Sequence, residues 1–221
     1  ARVTYGNDTF YGTGSDNYFD PGAGEDIIYG GSNWGATWLD VGDSWNGVIY
    51  DRDYRNAVDD RENHGYSGDL PSQGIEVDVG DSSQFELVIK DPFGFTDRAY
   101  GINSVIATEF EDRIVAGDWD NSISGLRGDD YLDGGAGWDT VYYNNDQWQD
   151  GYGNRGVYVN LSGTSQNANG NTIEAGTALD SFGDTDVIKN FEGVAGTSND
   201  DWVWAGDTHD GVSFRGFDGV D

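Results

Sequence analysis

The sequence predicts an all-β repeat fold, a solenoid of short stacked coils interrupted by loops and extra strands. Three observations predict it. Asp112, Asn121, Asp130 and Asp139 recur at a strict nine-residue spacing, each followed two residues later by an aliphatic: Ile114, Ile123, Leu132, Val141. Glycines crowd the stretch before them, as in Gly134-Gly135-Ala136-Gly137-Trp138-Asp139. Helix signals are almost nil, because 35 glycines in 221 residues keep interrupting propagation. A unit this short buries its apolar face only by stacking on neighbours. A carboxylate returned at fixed intervals also gathers oxygen ligands for a hard cation.

The nine-residue frame appears in three blocks. In the first, residues 1–41, Asp8, Asp16 and Asp26 hold the acidic slot, with Phe10, Tyr18 and Ile28 two positions later. Residues 42–99 form an insert in which apolar Ile75, Val77 and Val79 alternate, predicting a half-buried strand over 74–79. The second block, 100–143, holds the clean series. A second insert, 144–185, repeats the alternation at Val157, Val159 and Leu161 and predicts a strand over 156–161. The third block, 186–221, places Glu192, Asp201, Asp210 and Asp218 in the acidic slot and Val194, Val203, Val212 and Val220 in the aliphatic one. A longer repeat lies over the short one: residues 101–108 align with 190–197 at an offset of 89, which carries Asp112 onto Asp201. Both ends fall in mid-pattern, so the third block reads as truncated and the chain as a window on a longer array.

The turn chemistry follows from the residue types. Glycines permit the positive φ of a tight turn and free carbonyl oxygens to point inward. The Asp adds a charged oxygen, and the three residues after it form a minimal strand whose middle side chain faces the interior. Two such half-turns close a coil of eighteen residues, so Asp8 should stack on Asp26, Asp112 on Asp130, Asn121 on Asp139 and Glu192 on Asp210. The stretch Gly134-Gly135-Ala136-Gly137-Trp138-Asp139-Thr140-Val141-Tyr142 resembles the calcium-binding nonapeptide of the hemolysin-type RTX family. Residues 20–28 and 125–132 resemble it nearly as well, and the Asn190–Thr197 run looks like the connector between such blocks. The resemblance implies a parallel β-roll, calcium in the turns and export through a type I system. The expected metal residues are Asp8, Asp16, Gly24, Asp26, Gly128, Asp130, Gly135, Gly137, Asp139, Asp201, Asp210 and Asp218. Asn121, preceded by Trp119 where glycine is expected, predicts a weak or metal-free turn. The glycine-free turn before Asp112 predicts a cap or metal-free coil.

Composition agrees with several bound Ca²⁺ ions. There are 41 acidic residues against 11 basic, a formal charge of −30. That excess argues against nucleic acid and anionic membrane as partners. An aromatic content of 14% with eight Trp is too rich for a solvated acidic tail. About six to eight Ca²⁺ would cancel roughly 12 to 16 of the negative charges. With no Cys in the chain, oxygen-bound metal is the available staple. No apolar run approaches the ~18 residues that span a bilayer.

No catalytic or cofactor-binding constellation emerges. His64 and His209 lie in unrelated polar contexts, and carboxylate pairs are too common to single out an acid–base couple. The sequence therefore predicts a non-enzymatic, calcium-binding structural segment of a large extracellular or cell-surface bacterial protein, such as an adhesin, surface-layer or filament component. The alternative is an accessory polysaccharide-binding or secretion module of an enzyme whose catalytic domain lies elsewhere, with outward Trp202 and Trp204 stacking on sugars. Self-association, neighbouring repeats and an extracellular polysaccharide are the partners this reading leaves open.

Overall fold

The structure is a computed structural model that describes residues 5–12, 17–31, 46–50, 70–82, 86–144, 155–206 and 211–221. Two sheets face each other across one core. The narrow sheet contains, in spatial order, β2 (Tyr18–Phe19), β4 (Gly47–Ile49), β8 (Ser104–Ile106), β10 (Ser122–Ser124), β12 (Thr140–Tyr142), β18 (Gly193–Ala195) and β20 (Ser213–Arg215). All its pairings are parallel. The wide sheet runs β1 (Thr9–Tyr11), β3 (Ile27–Tyr29), β7 (Thr96–Tyr100), β6 (Glu86–Lys90), β5 (Glu76–Val79), β9 (Arg113–Val115), β11 (Tyr131–Asp133), β17 (Thr185–Lys189), β16 (Thr177–Leu179), β13 (Tyr158–Asn160) and β19 (Trp202–Trp204). A separate hairpin pairs β14 (Gln166–Ala168) with β15 (Asn171–Ile173).

Strands three residues long suffice because only the middle one must be buried. β9 and β11 each bury their central aliphatic between outward neighbours. The chain alternates between wide and narrow sheets, so successive strands in one sheet are a full coil apart. Thr9 opposes Ile27, Arg113 opposes Tyr131 and Ser122 opposes Thr140, which is the eighteen-residue coil. One column of Ile28, Ile114, Leu132, Ile188 and Val159 faces another of Val48, Val105, Ile123, Val141 and Val194, all within one buried cluster. Each such side chain contributes about 1.5–3 kcal/mol on burial.

The two expected insert strands exist as β5 and β13, and both join the wide sheet. Each opens a three-stranded antiparallel meander, β5–β6–β7 or β13–β16–β17, that takes the place of a single coil strand. The last strand of each meander pairs in parallel with the coil before it, and the first with the coil after it. Ile75, Val77, Leu87 and Ile89 thereby enter the common core, while Val79 ends up 37% exposed.

Register corrects three inward assignments. Phe19, not Tyr18, faces the core; Tyr18 is 54% exposed because β2 pairs Phe19 with Val48. In the last coil Val194 opposes Phe214 rather than Val212, so Phe214 holds the equivalent register, although it is 38% exposed. Val220 is exposed. No helix of the described residues is long and apolar enough to cross a membrane.

Candidate calcium-binding edge

The glycine turns stack so closely that side chains are excluded. Gly24 has φ +141°, and a Cβ there would lie 2.7 Å from the main chain of Gly6, one coil earlier. Gly137 repeats this at φ +131° against Trp119, and Gly128 and Gly135 also hold positive φ against Phe110 and Gly117. Both the sign of φ and the approach demand glycine. Leu126 occupies the place equivalent to Gly135 in its turn, at φ 71°, and so holds a strained left-handed backbone.

Beside these turns the wide sheet carries a ladder of aspartates. Each N–H donates to the carboxylate of the next coil: Asp8 to Asp26 Oδ1 (2.8 Å), Asp26 to Asp97 Oδ1 (2.9 Å), Asp112 to Asp130 Oδ1 (2.8 Å) and Asp130 to Asp186 Oδ1 (3.2 Å). Asp201 continues it onto Asp221 Oδ1 at 3.0 Å. The eighteen-residue stacking of Asp8 on Asp26 and Asp112 on Asp130 is therefore present. Asp97 and Asp186, at the start of meander strands, are rungs that nonapeptide spacing does not reach.

One oxygen of several rungs is left over. Asp26 Oδ2, Asp130 Oδ2 and Asp139 Oδ2 are buried without a hydrogen-bond partner. Burial pushes the Asp26 carboxyl up to about 6 and that of Asp139 to about 7. Asp130 rises to about 10, mainly by burial, with the charges of Asp112 and Asp186 adding to it. Orphaned buried carboxylate oxygens among like charges are costly unless a cation meets them. The donors are all oxygen, as Ca²⁺ requires. Among the described residues no three His, Asp or Glu side chains form a ready-made metal cage, so an ion here would draw further oxygens from main chain and water.

Asp112 and Asp201 are built differently. Asp112 accepts from Ile75 N–H, Thr108 N–H and Thr108 Oγ1–H, so neither oxygen is free. Asp201 is held alike by Val157 N–H and by the Thr197 N–H and hydroxyl. Asp112 and Asp201 thus share one geometry, and of the two only Asp201 is among the expected metal residues.

The narrow sheet's edge is largely amide. Asn17 N–H donates to Asn46 Oδ1 (3.1 Å) and Asn46 N–H to Asn103 Oδ1 (3.0 Å). Asn121 donates both its N–H (2.7 Å) and its side-chain amide (2.9 Å) to Asp139 Oδ1. Asp139 N–H then donates to Glu192 Oε2 at 3.0 Å. Asn121 is therefore a satisfied rung, with further donations to the carbonyls of Gly134 and Trp119.

Three further expected metal residues lie elsewhere or outside the described residues. Asp16 lies outside the described residues, and the rung beside it is Asn17. Asp210, expected to stack on Glu192, also lies outside them; among the described residues the last coil is two residues longer than eighteen, since Gly193 opposes Ser213. Its wide-sheet rung is Asp221, and Asp218 is exposed. The signal was present in Gly216-Phe217-Asp218-Gly219-Val220-Asp221, which matches the glycine spacing of Gly125, Gly128 and Asp130.

Short parallel strands, glycine turns and an oxygen-lined edge define a β-roll. Residues 3–33 and 116–147 match the family model of the RTX calcium-binding nonapeptide repeat (4 copies). These two segments carry RTX-type nonapeptide repeats. Repeats of this family bind calcium, and RTX repeat proteins are typically secreted. Among curated proteins there is no match to the chain.

Proposed function

We propose that the chain is a calcium-binding structural segment of a large secreted or cell-surface bacterial protein, folding when it meets extracellular calcium. The observation that carries this reading is the aspartate ladder with its buried, partnerless Oδ2 atoms. A net charge of −30 opposes compaction until cations bind, so folding and metal binding become one event. Millimolar calcium outside the cell suits weak sites of this kind, and an unfolded chain suits type I export. The reading assigns no catalysis to these residues. It favours an adhesin, surface-layer or filament component whose copies or neighbouring repeats contact one another. Sedimentation velocity in calcium tests it. A sedimentation coefficient that grows with protein concentration supports assembly, and a concentration-independent monomer contradicts it.

A second reading, an accessory polysaccharide-binding or secretion module of a secreted enzyme, has one supporting observation. Tyr11, Tyr29 and Tyr100 stack in register on the outer face, with ring centroids 5.1 and 5.3 Å apart, and Tyr158 stacks on Trp202 at 5.1 Å. Aromatic faces of this kind suit sugar rings. Glycan binding lost in Trp202→Ala and Trp204→Ala with folding intact would favour it over the structural reading.

A further inference from the structure

Outside the matched nonapeptides the same loop occurs twice. Asp91-Pro92-Phe93-Gly94-Phe95-Thr96-Asp97 and Asp180-Ser181-Phe182-Gly183-Asp184-Thr185-Asp186 share Asp-x-Phe-Gly-x-Thr-Asp, 89 residues apart. Each is the turn into the last meander strand, and that strand pairs with a nonapeptide coil. The turn therefore lies against the turn of that coil, where the next nonapeptide would otherwise sit.

The two copies share the same pattern of contacts at both aspartates. The closing aspartate has both oxygens engaged. Asp97 accepts from Asp26 N–H and from the Tyr50 hydroxyl (2.7 Å), and Asp186 accepts from Asp130 N–H and from the Tyr143 hydroxyl (2.9 Å). The opening aspartate caps its own turn through Oδ1. Asp91 accepts from Phe93 and Phe95 N–H, and Asp180 from Phe182, Gly183 and Asp184 N–H. Its other oxygen is left over: Asp91 Oδ2 and Asp180 Oδ2 are buried without a hydrogen-bond partner, on residues that are 0% exposed. The facing nonapeptide aspartate, Asp26 or Asp130, carries the same kind of orphan. The members of each pair are near enough for Asp91 to act on Asp26 and Asp180 on Asp130 as like charges.

One orphaned carboxylate oxygen in a core is a defect; the same pair kept twice at matching positions is a binding feature. Hydrogen-bond donors serve Oδ1 of both opening aspartates, so the turns do not lack access to donors. What meets two buried anionic oxygens together is a cation, and the all-oxygen surroundings select a hard divalent one. We infer that each meander turn completes a calcium site with the nonapeptide turn beside it, Asp26 with Asp91 and Asp130 with Asp180, stapling meander to roll. This rests on the reading that the nonapeptide turns themselves take calcium.

Native mass spectrometry of the full chain at saturating calcium tests it, with Asp91→Asn, Asp180→Asn and the double variant. Asn keeps the Oδ1 cap and removes the charged ligand. The expected result is one ion fewer for each single variant and two fewer for the double, while exposed Asp118→Asn keeps the full number. Equal counts in every variant overturn the composite sites and leave the nonapeptide reading standing. No calcium on the unaltered chain overturns both. Should the variants fail to fold, a calcium-loaded crystal structure of the unaltered chain decides. An ion about 2.3–2.6 Å from the Asp26 and Asp91 carboxylates supports the site, and water or a hydrogen-bond donor there refutes it.

Discussion

Asn17 gives both its main-chain N–H and its side-chain amide to a single atom, Asn46 Oδ1, at 3.1 and 2.9 Å. The narrow sheet's edge thus begins as an amide ladder, while the wide sheet's edge is an aspartate ladder. An amide brings its own donor and leaves no net charge, so rungs of this kind hold without a cation. The roll is chemically two-sided, and calcium dependence concentrates on the wide sheet and around Asp139.

Asn121→Asp tests that division. The side-chain amide of Asn121 faces Asp139 Oδ1 and the Gly134 carbonyl, so a carboxylate there meets acceptors only. The variant should lose about 1–3 kcal/mol of stability at fixed calcium, seen as a lower thermal midpoint and a higher calcium concentration for folding.

Asp201 and Asp139 should respond differently to the same change. Asp201→Asn breaks the contacts to Thr197 yet removes no orphaned oxygen, so calcium stoichiometry stays constant while stability falls. Asp139→Asn removes an orphaned charged ligand and should lower the stoichiometry. Calorimetric titration of both variants checks the contrast.

Gly137→Ala combines a left-handed φ with a 2.7 Å collision against Trp119 and should cost about 1–3 kcal/mol or more. Gly163→Ala, with nothing within 4 Å of its added carbon, is the matched neutral change. Thermal melts of the two in saturating calcium measure the difference.

Acidity should act in opposite directions with and without metal. Burial raises Asp26 to about 6, Asp97 and Asp139 to about 7 and Asp186 to about 8, from an ordinary 3.8. A raised folded-state value contributes stability that is complete below the ordinary value and is lost as pH rises through the raised one. In chelator the β signal should therefore strengthen as pH falls from about 8 towards about 4.5. In calcium, protons compete with the ion, so the calcium needed for folding should rise over the same fall.

What could be read beforehand was local. Ile123, Leu132 and Val141 sit at fixed distance from their aspartates within one half-turn, so spacing alone placed them inward. Asn17 is not acidic and Asp221 breaks the strict nine-residue interval, because the glycines rather than the carboxylates set the frame. Asp97 and Asp186 become rungs through pairing of β7 with β3 and of β17 with β11, and Asp26 reaches Asp97 across 71 residues. Such a register is set by where a meander folds back, which no nine-residue period records. The 89-residue repeat did carry a trace of it in the shared Asp-x-Phe-Gly-x-Thr-Asp loop.

The central claim is that calcium and folding are one event. Far-ultraviolet circular dichroism of the chain at neutral pH and low salt, titrated with calcium and then with chelator, tests it most directly. The account predicts a disordered spectrum in chelator, a cooperative rise of β signal with calcium, and reversal when the ion is withdrawn. A β spectrum that is unchanged by chelator would contradict it.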